Sequence, residues 1–140
     1  MKTVLISSLL LASVFMNGCS KPESAAAARI DKNGDEIMAS STRAEAREWM
    51  KEPKHIFFKA DPKEVAGFVN DFYQAGAVQV FIADIEEYEG YQYGESLLVV
   101  LPEEASARAR LFQIGARVET AFQNDPESDV GQKYLYYSLD

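Results

Sequence analysis

Residues 77–101 read AVQVFIADIEEYEGYQYGESLLVVL, and this stretch decides the expected fold. Its first part, residues 77–85, alternates apolar side chains and is rich in β-branched and aromatic residues, while residues 96–101 are almost continuous in Leu and Val. Both patterns are typical of strands. A polar segment that contains Gly90 and Gly94 separates them. We therefore expect two antiparallel strands joined by a central hairpin.

Two helical patterns flank this hairpin. Asp61 and Pro62 have the residue types of an N-cap and a first helical position, and Gly76 can end the helix in a left-handed conformation. Between them, apolar residues repeat at three- and four-residue spacing, namely Val65, Phe68, Val69, Phe72 and Tyr73. After Pro102, a longer pattern places on one face Leu111, Ile114, Gly115, Val118 and Phe122.

Further strands are expected at residues 55–59 and 133–139. The resulting order matches the βαββαβ arrangement of a ferredoxin-like two-layer sandwich, an α+β fold in which two helices cover one face of an antiparallel sheet. Right-handed crossovers would place the first and third strands in the middle of that sheet. We assign this domain to residues 55–140. Because the sequence has a single cysteine, the likeness is one of shape, and we expect no iron–sulfur cluster or other cofactor.

The first residues have the layout of a signal peptide. Lys2 supplies a positive charge, and the apolar run at residues 4–16 is too short to cross a bilayer. The following Met16-Asn17-Gly18-Cys19 resembles the lipobox of bacterial lipoproteins, in which the cysteine is acylated and becomes the new N-terminus. Acyl chains would hold the protein on a membrane.

This resemblance implies that residues 1–18 are removed and that Cys19 carries the lipid anchor. Ser20, rather than Asp, follows the cysteine, which is similar to the pattern for sorting to the outer membrane, with the domain facing the periplasm of the bacterial cell envelope. Ordinary secretion with a free thiol is the alternative.

Residues 19–54 are rich in Ser, Ala, Lys, Glu and Asp, which predicts a flexible tether with a short helix at 43–51 that Thr42 would cap. Within it, Asp31-Lys32-Asn33-Gly34-Asp35 resembles the opening of an EF-hand calcium loop. Glu36 stands where that loop requires Gly, and Thr42 stands where it requires a bidentate Glu. We therefore expect a polar turn and no metal site.

The polar segment of the hairpin mixes carboxylates with tyrosines. At the tip of a hairpin, the tyrosines would give rigid contact area, while the carboxylates would select a basic partner. Alternatively, the carboxylates only keep an edge soluble and the tyrosines pack on the sheet rim. The candidate partner-binding residues are Asp84, Glu86, Glu87, Tyr88, Glu89, Tyr91, Tyr93 and Glu95.

A second aromatic cluster lies near the C-terminus, where Tyr134 and Tyr136 share one face of the last strand. If both helices cover the other face, these tyrosines lie on an open sheet face that suits a partner protein or a second copy of the chain in a homodimer. Ordinary edge-strand tyrosines are the alternative.

The net charge of −8 argues against a nucleic-acid ligand and favours a partner with a basic or neutral surface. His55 is the sole histidine, and no nucleophile or orienting carboxylate can be placed beside it, so we expect no catalytic site.

The leading hypothesis is therefore a membrane-anchored, non-catalytic module that binds a partner protein, either an accessory of an envelope assembly or an immunity-type inhibitor. The alternative is a small-ligand carrier or sensor with a cleft between helices and sheet, lined by Phe57, Phe68, Phe72 and Phe112.

Overall fold

The computed structural model describes residues 24–140, so the expected signal peptide and lipidation site at Cys19 lie outside the described residues. The described part of the chain has a mixed α+β fold. Its elements in chain order are α1 (Ala25–Ala39), β1 (Ala44–Glu45), α2 (Ala46–Trp49), β2 (His55–Phe57), α3 (Pro62–Ala75), β3 (Gln79–Ala83), β4 (Glu86–Tyr88), β5 (Tyr91–Gly94), β6 (Ser96–Val100), α4 (Ala105–Phe122) and β7 (Tyr134–Ser138).

The main sheet has four antiparallel strands in the order β1-β3-β6-β7. The predicted pairing of the two central strands is confirmed, since Val80 lies opposite Val99 and Ala83 lies opposite Ser96. Both strands are almost wholly buried, which accounts for their continuous apolar sequence. They form the rigid base from which the hairpin projects.

The hairpin continues past the main sheet without a change of register. Ala83 pairs with Ser96, and further out Tyr88 pairs with Tyr91, so the two arms contain the same number of residues. Asp84 has a positive φ of 51° and interrupts the first arm between β3 and β4. The tip is the two-residue turn Glu89-Gly90, with φ values of 52° and 81°, and positive φ at both positions matches the right-handed twist of the arms.

The outer part of the hairpin belongs to a second sheet, in the order β2-β5-β4, in which β2 runs parallel to β5. The expected ferredoxin-like arrangement is not confirmed, because the strand at His55–Phe57 lies in this second sheet and not in the middle of the main one. In the main sheet, β1 occupies the free edge of β3 and β7 occupies that of β6. Neither β3 nor β6 therefore has a free edge for β2, and β2 pairs with the projecting hairpin instead.

Helices α3 and α4 pack on one face of the main sheet, as predicted. Asp61 caps α3 by accepting a hydrogen bond from Lys63 N–H, and Gly76 ends it with a φ of 108°. The apolar faces of both helices meet the sheet in one core. Its largest fully buried side chains include Phe72, Leu97, Leu111, Leu135 and Tyr137.

Helix α1 covers the opposite face of the sheet, so two expectations were wrong. The segment after residue 24 is a helix and not a flexible tether, and the sheet face of Tyr134 and Tyr136 is not open. The fully buried residues of α1 are small or polar, namely Ala27, Asp31 and Gly34, while the partly buried Ile37 and Met38 pack against the same cluster. Gly34 meets the ring of Tyr134, and Asp31 Oδ1 accepts the Lys133 N–H at 2.7 Å.

The link between α1 and β2 also differs from expectation. The predicted helix at 43–51 is reduced to Ala46–Trp49, and its N-cap is Glu45 rather than Thr42, because residues 44–45 pair with β3. Asp31 and Asp35, predicted in a polar turn, lie on α1. This helical backbone does not form a calcium-binding loop.

Candidate functional site

The two sides of the second sheet differ in chemistry. Cross-strand pairing places Glu86 opposite Tyr93 and Tyr88 opposite Tyr91, and Ile56 of β2 lies beside Tyr93. Because side chains alternate along strands, these five residues share one side, here called the tyrosine face. Tyr88 is 64% exposed and Tyr91 is 42% exposed. The outermost cross-strand pair of the hairpin is therefore a pair of accessible aromatic rings.

Trp49 supports the opposite side of the hairpin. Its Nε1–H donates to Gln92 Oε1 at 2.8 Å, and Gln92 Nε2 donates to Glu87 Oε1 at 3.1 Å. The Trp49 ring stacks on the His55 ring with 4.9 Å between their centroids. Gly94 permits this packing, since a Cβ there would collide with Trp49. The hairpin is thus held from behind by a buried aromatic residue, and Glu87 lies on this side and not on the tyrosine face.

His55 has a structural role in this support. Its Nδ1 lies 2.7 Å from the Trp49 carbonyl oxygen, which fixes Nδ1–H as the donor, and its ring is partly covered by the indole. The geometry places His55 behind the hairpin, as part of its support.

The base of the hairpin concentrates negative charge. A depression of about 460 Å³ is lined by several groups, including the carboxylates of Asp84, Glu86, Glu95 and Asp140. Partial burial raises the pKa of the Glu95 carboxyl, and the neighbouring carboxylates of Glu86, Asp140 and Asp84 raise it further. The four carboxylates together give this end of the sheet a negative potential. Among residues 24–140, no group of three or more His, Cys, Asp or Glu side chains is arranged to hold a metal ion.

The two C-terminal tyrosines lie on one face of β7, as predicted, but they do not form an exposed patch. Tyr134 is 7% exposed, and its hydroxyl donates to Asp35 Oδ1 of α1 at 2.7 Å. Burial and this hydrogen bond raise the pKa of Tyr134 to about 12. The structure therefore assigns Tyr134 to the contact between α1 and the sheet.

Tyr136 links the sheet to the base of the hairpin. Its hydroxyl donates to Asp84 Oδ2 at 2.6 Å and lies 2.8 Å from Ser96 Oγ. Burial, followed by the hydrogen bond to Asp84, raises the pKa of Tyr136 to about 12. The candidate residues thus divide into an accessible hairpin tip and a partly buried group that fixes the bend at Asp84.

Sequence reasoning missed one part of this surface. Phe58, which directly follows β2, is 73% exposed, and Ile56 belongs to the tyrosine face although both were expected in a core strand. A signal was present, because three consecutive large apolar residues, Ile56, Phe57 and Phe58, cannot all point to one side of a strand. Only Phe57 is buried.

The aromatic residues proposed to line a ligand cleft lie in the packed interior. Phe57, Phe68 and Phe72 belong to the main core, and Phe112 packs against it. Phe68 and Phe122 meet edge to face at 6.2 Å between centroids. Interdigitated rings of this kind fill the space between helices and sheet.

Comparison with known proteins gives no relative: no protein-family model, no curated protein and no solved structure matches this chain. Among the described residues, none of the helices combines the length and hydropathy that a membrane span requires.

Proposed function

We propose that this chain is a lipid-anchored protein of the bacterial envelope, acylated on Cys19 at the outer membrane and facing the periplasm, whose domain binds a partner protein through the tyrosine face of its hairpin. The anchor is supported by the apolar run at 4–16 and the Gly18-Cys19 pair. The binding role is non-catalytic, as an envelope accessory or an immunity-type inhibitor.

The observation that carries the binding role is the exposed pair Tyr88 and Tyr91 at the end of a supported hairpin. Tyrosine provides a large contact area and loses little side-chain entropy on binding. The short turn and the Trp49 support hold the rings before a partner arrives, which lowers the cost of association. Phe58 adds a further exposed aromatic ring beyond β2.

The charge around these rings favours a partner that presents lysine or arginine. Glu86 lies on the tyrosine face, Glu89 is in the turn, and Glu95 already experiences the repulsion of its neighbours. A cation placed here is attracted to the carboxylates and to the ring faces. The same stacking occurs inside the domain, where the Arg47 guanidinium lies 4.2 Å from the centroid of the Tyr73 ring.

A second copy of the chain fits this surface poorly, because it would bring the same carboxylates together. The homodimer expected through an open sheet face is disfavoured for a different reason, since α1 covers that face. A solubilising hairpin without a partner is the alternative that the experiment must exclude.

The test compares partner recovery from cross-linked, detergent-solubilised envelopes. The first variant carries Glu86→Lys and Glu89→Lys, and the second carries Tyr88→Ser and Tyr91→Ser. The matched control carries two reversals at exposed acids away from the hairpin, Glu36→Lys and Glu103→Lys. We expect both hairpin variants to lose partners that the wild type and the control retain. Equal recovery from all four proteins would reject the hairpin as the interface.

The anchor is tested separately. Intact mass of the protein extracted from membranes should equal residues 19–140 plus acyl chains, and Cys19→Ala should release the protein from the membrane fraction. A retained leader or an unmodified thiol would contradict the anchor without bearing on the hairpin.

A further inference from the structure

The outer edge of β7 is covered by side chains of the segment that follows α4. Gln123 turns the chain with a φ of 56°, and the side chain of Asn124 then bonds both backbone groups of Ser138: Oδ1 accepts the N–H at 2.9 Å, and Nδ2 donates to the carbonyl at 2.8 Å. Edge strands in general expose such groups to unwanted pairing. Residues 124–127, here called the latch segment, therefore close this edge of the main sheet.

After Asn124, Glu127 is the second residue that attaches the latch segment to the rest of the domain. Its backbone N–H donates to Glu119 Oε1 of α4 at 2.8 Å, and its carboxyl lies beside the Tyr136 N–H of β7. Glu127 Oε2 is buried without a hydrogen-bond partner, and so is the hydroxyl of the fully buried Tyr137.

Within residues 24–140, no cation pairs with either of these two carboxyls. The ion pairs among residues 24–140 are Lys51–Glu48, Arg108–Asp129, Arg117–Asp71 and Lys133–Asp35, and they include neither Glu119 nor Glu127. The groups that face Glu127 are Glu119 from α4 and the Tyr137 phenol and Tyr136 N–H from β7. Two carboxylates in such a place repel each other and lose hydration, which favours the protonated form of Glu127.

From this geometry we infer that Glu127 is a pH-dependent latch: with a proton on its carboxyl, residues 124–127 stay closed over the edge of β7, and its ionisation frees the backbone of Tyr136 and Ser138. The inference is independent of the proposed function. It assigns a role to Glu127, a partly buried acid that lies outside the hairpin.

The direction of the pH dependence follows from the cause of the pKa shift. Burial, followed by the charge of Glu119, raises the pKa of Glu127 from 4.5 to about 7, and the Tyr136 N–H opposes this only in part. A carboxyl whose pKa is higher in the closed state stabilises that state at low pH, and this stabilisation is lost as pH rises through about 7. The latch is thus closed at pH 5.5 and weakened at pH 8.

Native-state amide hydrogen exchange tests this inference on the whole chain. After correction for intrinsic exchange rates, we expect the protection of the Tyr136 and Ser138 amides to fall about tenfold between pH 5.5 and pH 8 in the wild type. Glu127→Gln should remove this fall, while Asp125→Asn, a neighbouring exposed acid, should retain it. Glu119→Gln should move the transition to lower pH without abolishing it, because the charge that raises the pKa of Glu127 is removed while Glu127 itself remains.

Two results would overturn the latch. One is a fall in protection that persists unchanged in Glu127→Gln. The other is exchange of the Tyr136 and Ser138 amides at the same rate as the central Leu98 amide, because the edge would then open only when the whole domain unfolds. If Glu127→Gln does not fold, the Glu119→Gln transition decides the matter: an unshifted transition counts against the latch.

Discussion

Gly34 of α1 lies directly against the ring of Tyr134, so closely that a Cβ on Gly34 would overlap the ring atoms. This contact sets the distance between the helix and the sheet. It also explains how a helix whose fully buried residues are small or polar can cover a sheet face.

Gly34→Ala should therefore destabilise the domain by about 1–3 kcal/mol, because the added methyl must displace α1 or the tyrosine. Gly67→Ala is the matched control. Gly67 is also helical, but no atom lies within 4 Å of its added Cβ, so the change should stabilise by about 0.5–1 kcal/mol through helix propensity. Urea unfolding of both variants measures the difference, and equal effects would contradict this packing.

Replacing Arg108 by lysine should destabilise the domain. Its guanidinium makes two hydrogen bonds to Asp129, at 3.1 and 2.7 Å, and donates to the carbonyls of Pro102 and Gln132, while its side chain is only 12% exposed. Lysine has a single ammonium group and cannot make the same paired hydrogen bonds. We expect Arg108→Lys to lower the free energy of unfolding by about 2 kcal/mol. The exposed Arg110→Lys should change it by less than about 0.5 kcal/mol, and thermal unfolding of the two variants provides the comparison.

The Trp49 support should be separable from the tyrosine face. Gln92→Leu leaves the buried indole N–H without its acceptor, which should cost about 1–2 kcal/mol and shift the emission of this sole tryptophan. Tyr91 neighbours Gln92 in β5, but its side chain lies on the tyrosine face. Tyr91→Ser should therefore leave the stability and the tryptophan emission nearly unchanged. Urea unfolding followed by tryptophan fluorescence measures both, and a stability loss of the same size in Tyr91→Ser would show that the tyrosines are structural.

Glu127 should make the stability of the domain depend on pH. Since its pKa rises from 4.5 to about 7 on folding, its contribution is favourable at low pH and is lost as pH rises through 7. After allowance for partial solvent screening, we expect Glu127→Gln to stabilise the protein by about 1–2 kcal/mol at pH 8 relative to its effect at pH 6. Denaturant midpoints at the two pH values measure this, with Asp125→Asn as the control; identical profiles for all three proteins would contradict it.

The sequence was sufficient where local chemistry and burial agree. The caps at Asp61 and Gly76, the buried strands β3 and β6 and the hairpin between them were predicted from residue types alone, and the structure confirms them. The sequence was insufficient where strands from different parts of the chain compete for the same sheet edge. The two residues of β1 are too few to give a pattern, yet they take the edge that leaves β2 outside the main sheet.

The same limit applies to the candidate site. Carboxylates and tyrosines at a hairpin tip can be recognised from composition, and the exposure of Tyr88 and Tyr91 agrees with that expectation. Tyr134 was misplaced because α1 was not expected: its fully buried positions, Ala27, Asp31 and Gly34, are small or polar and give only a weak apolar pattern in the sequence.

The equal length of the two hairpin arms restricts how this protein can vary. A single-residue insertion in either arm between Ala83 and Tyr88, or between Tyr91 and Ser96, would shift the pairing by one place and turn the aromatic rings toward Trp49. Relatives that keep the surface should therefore lengthen or shorten both arms together, in steps of two residues.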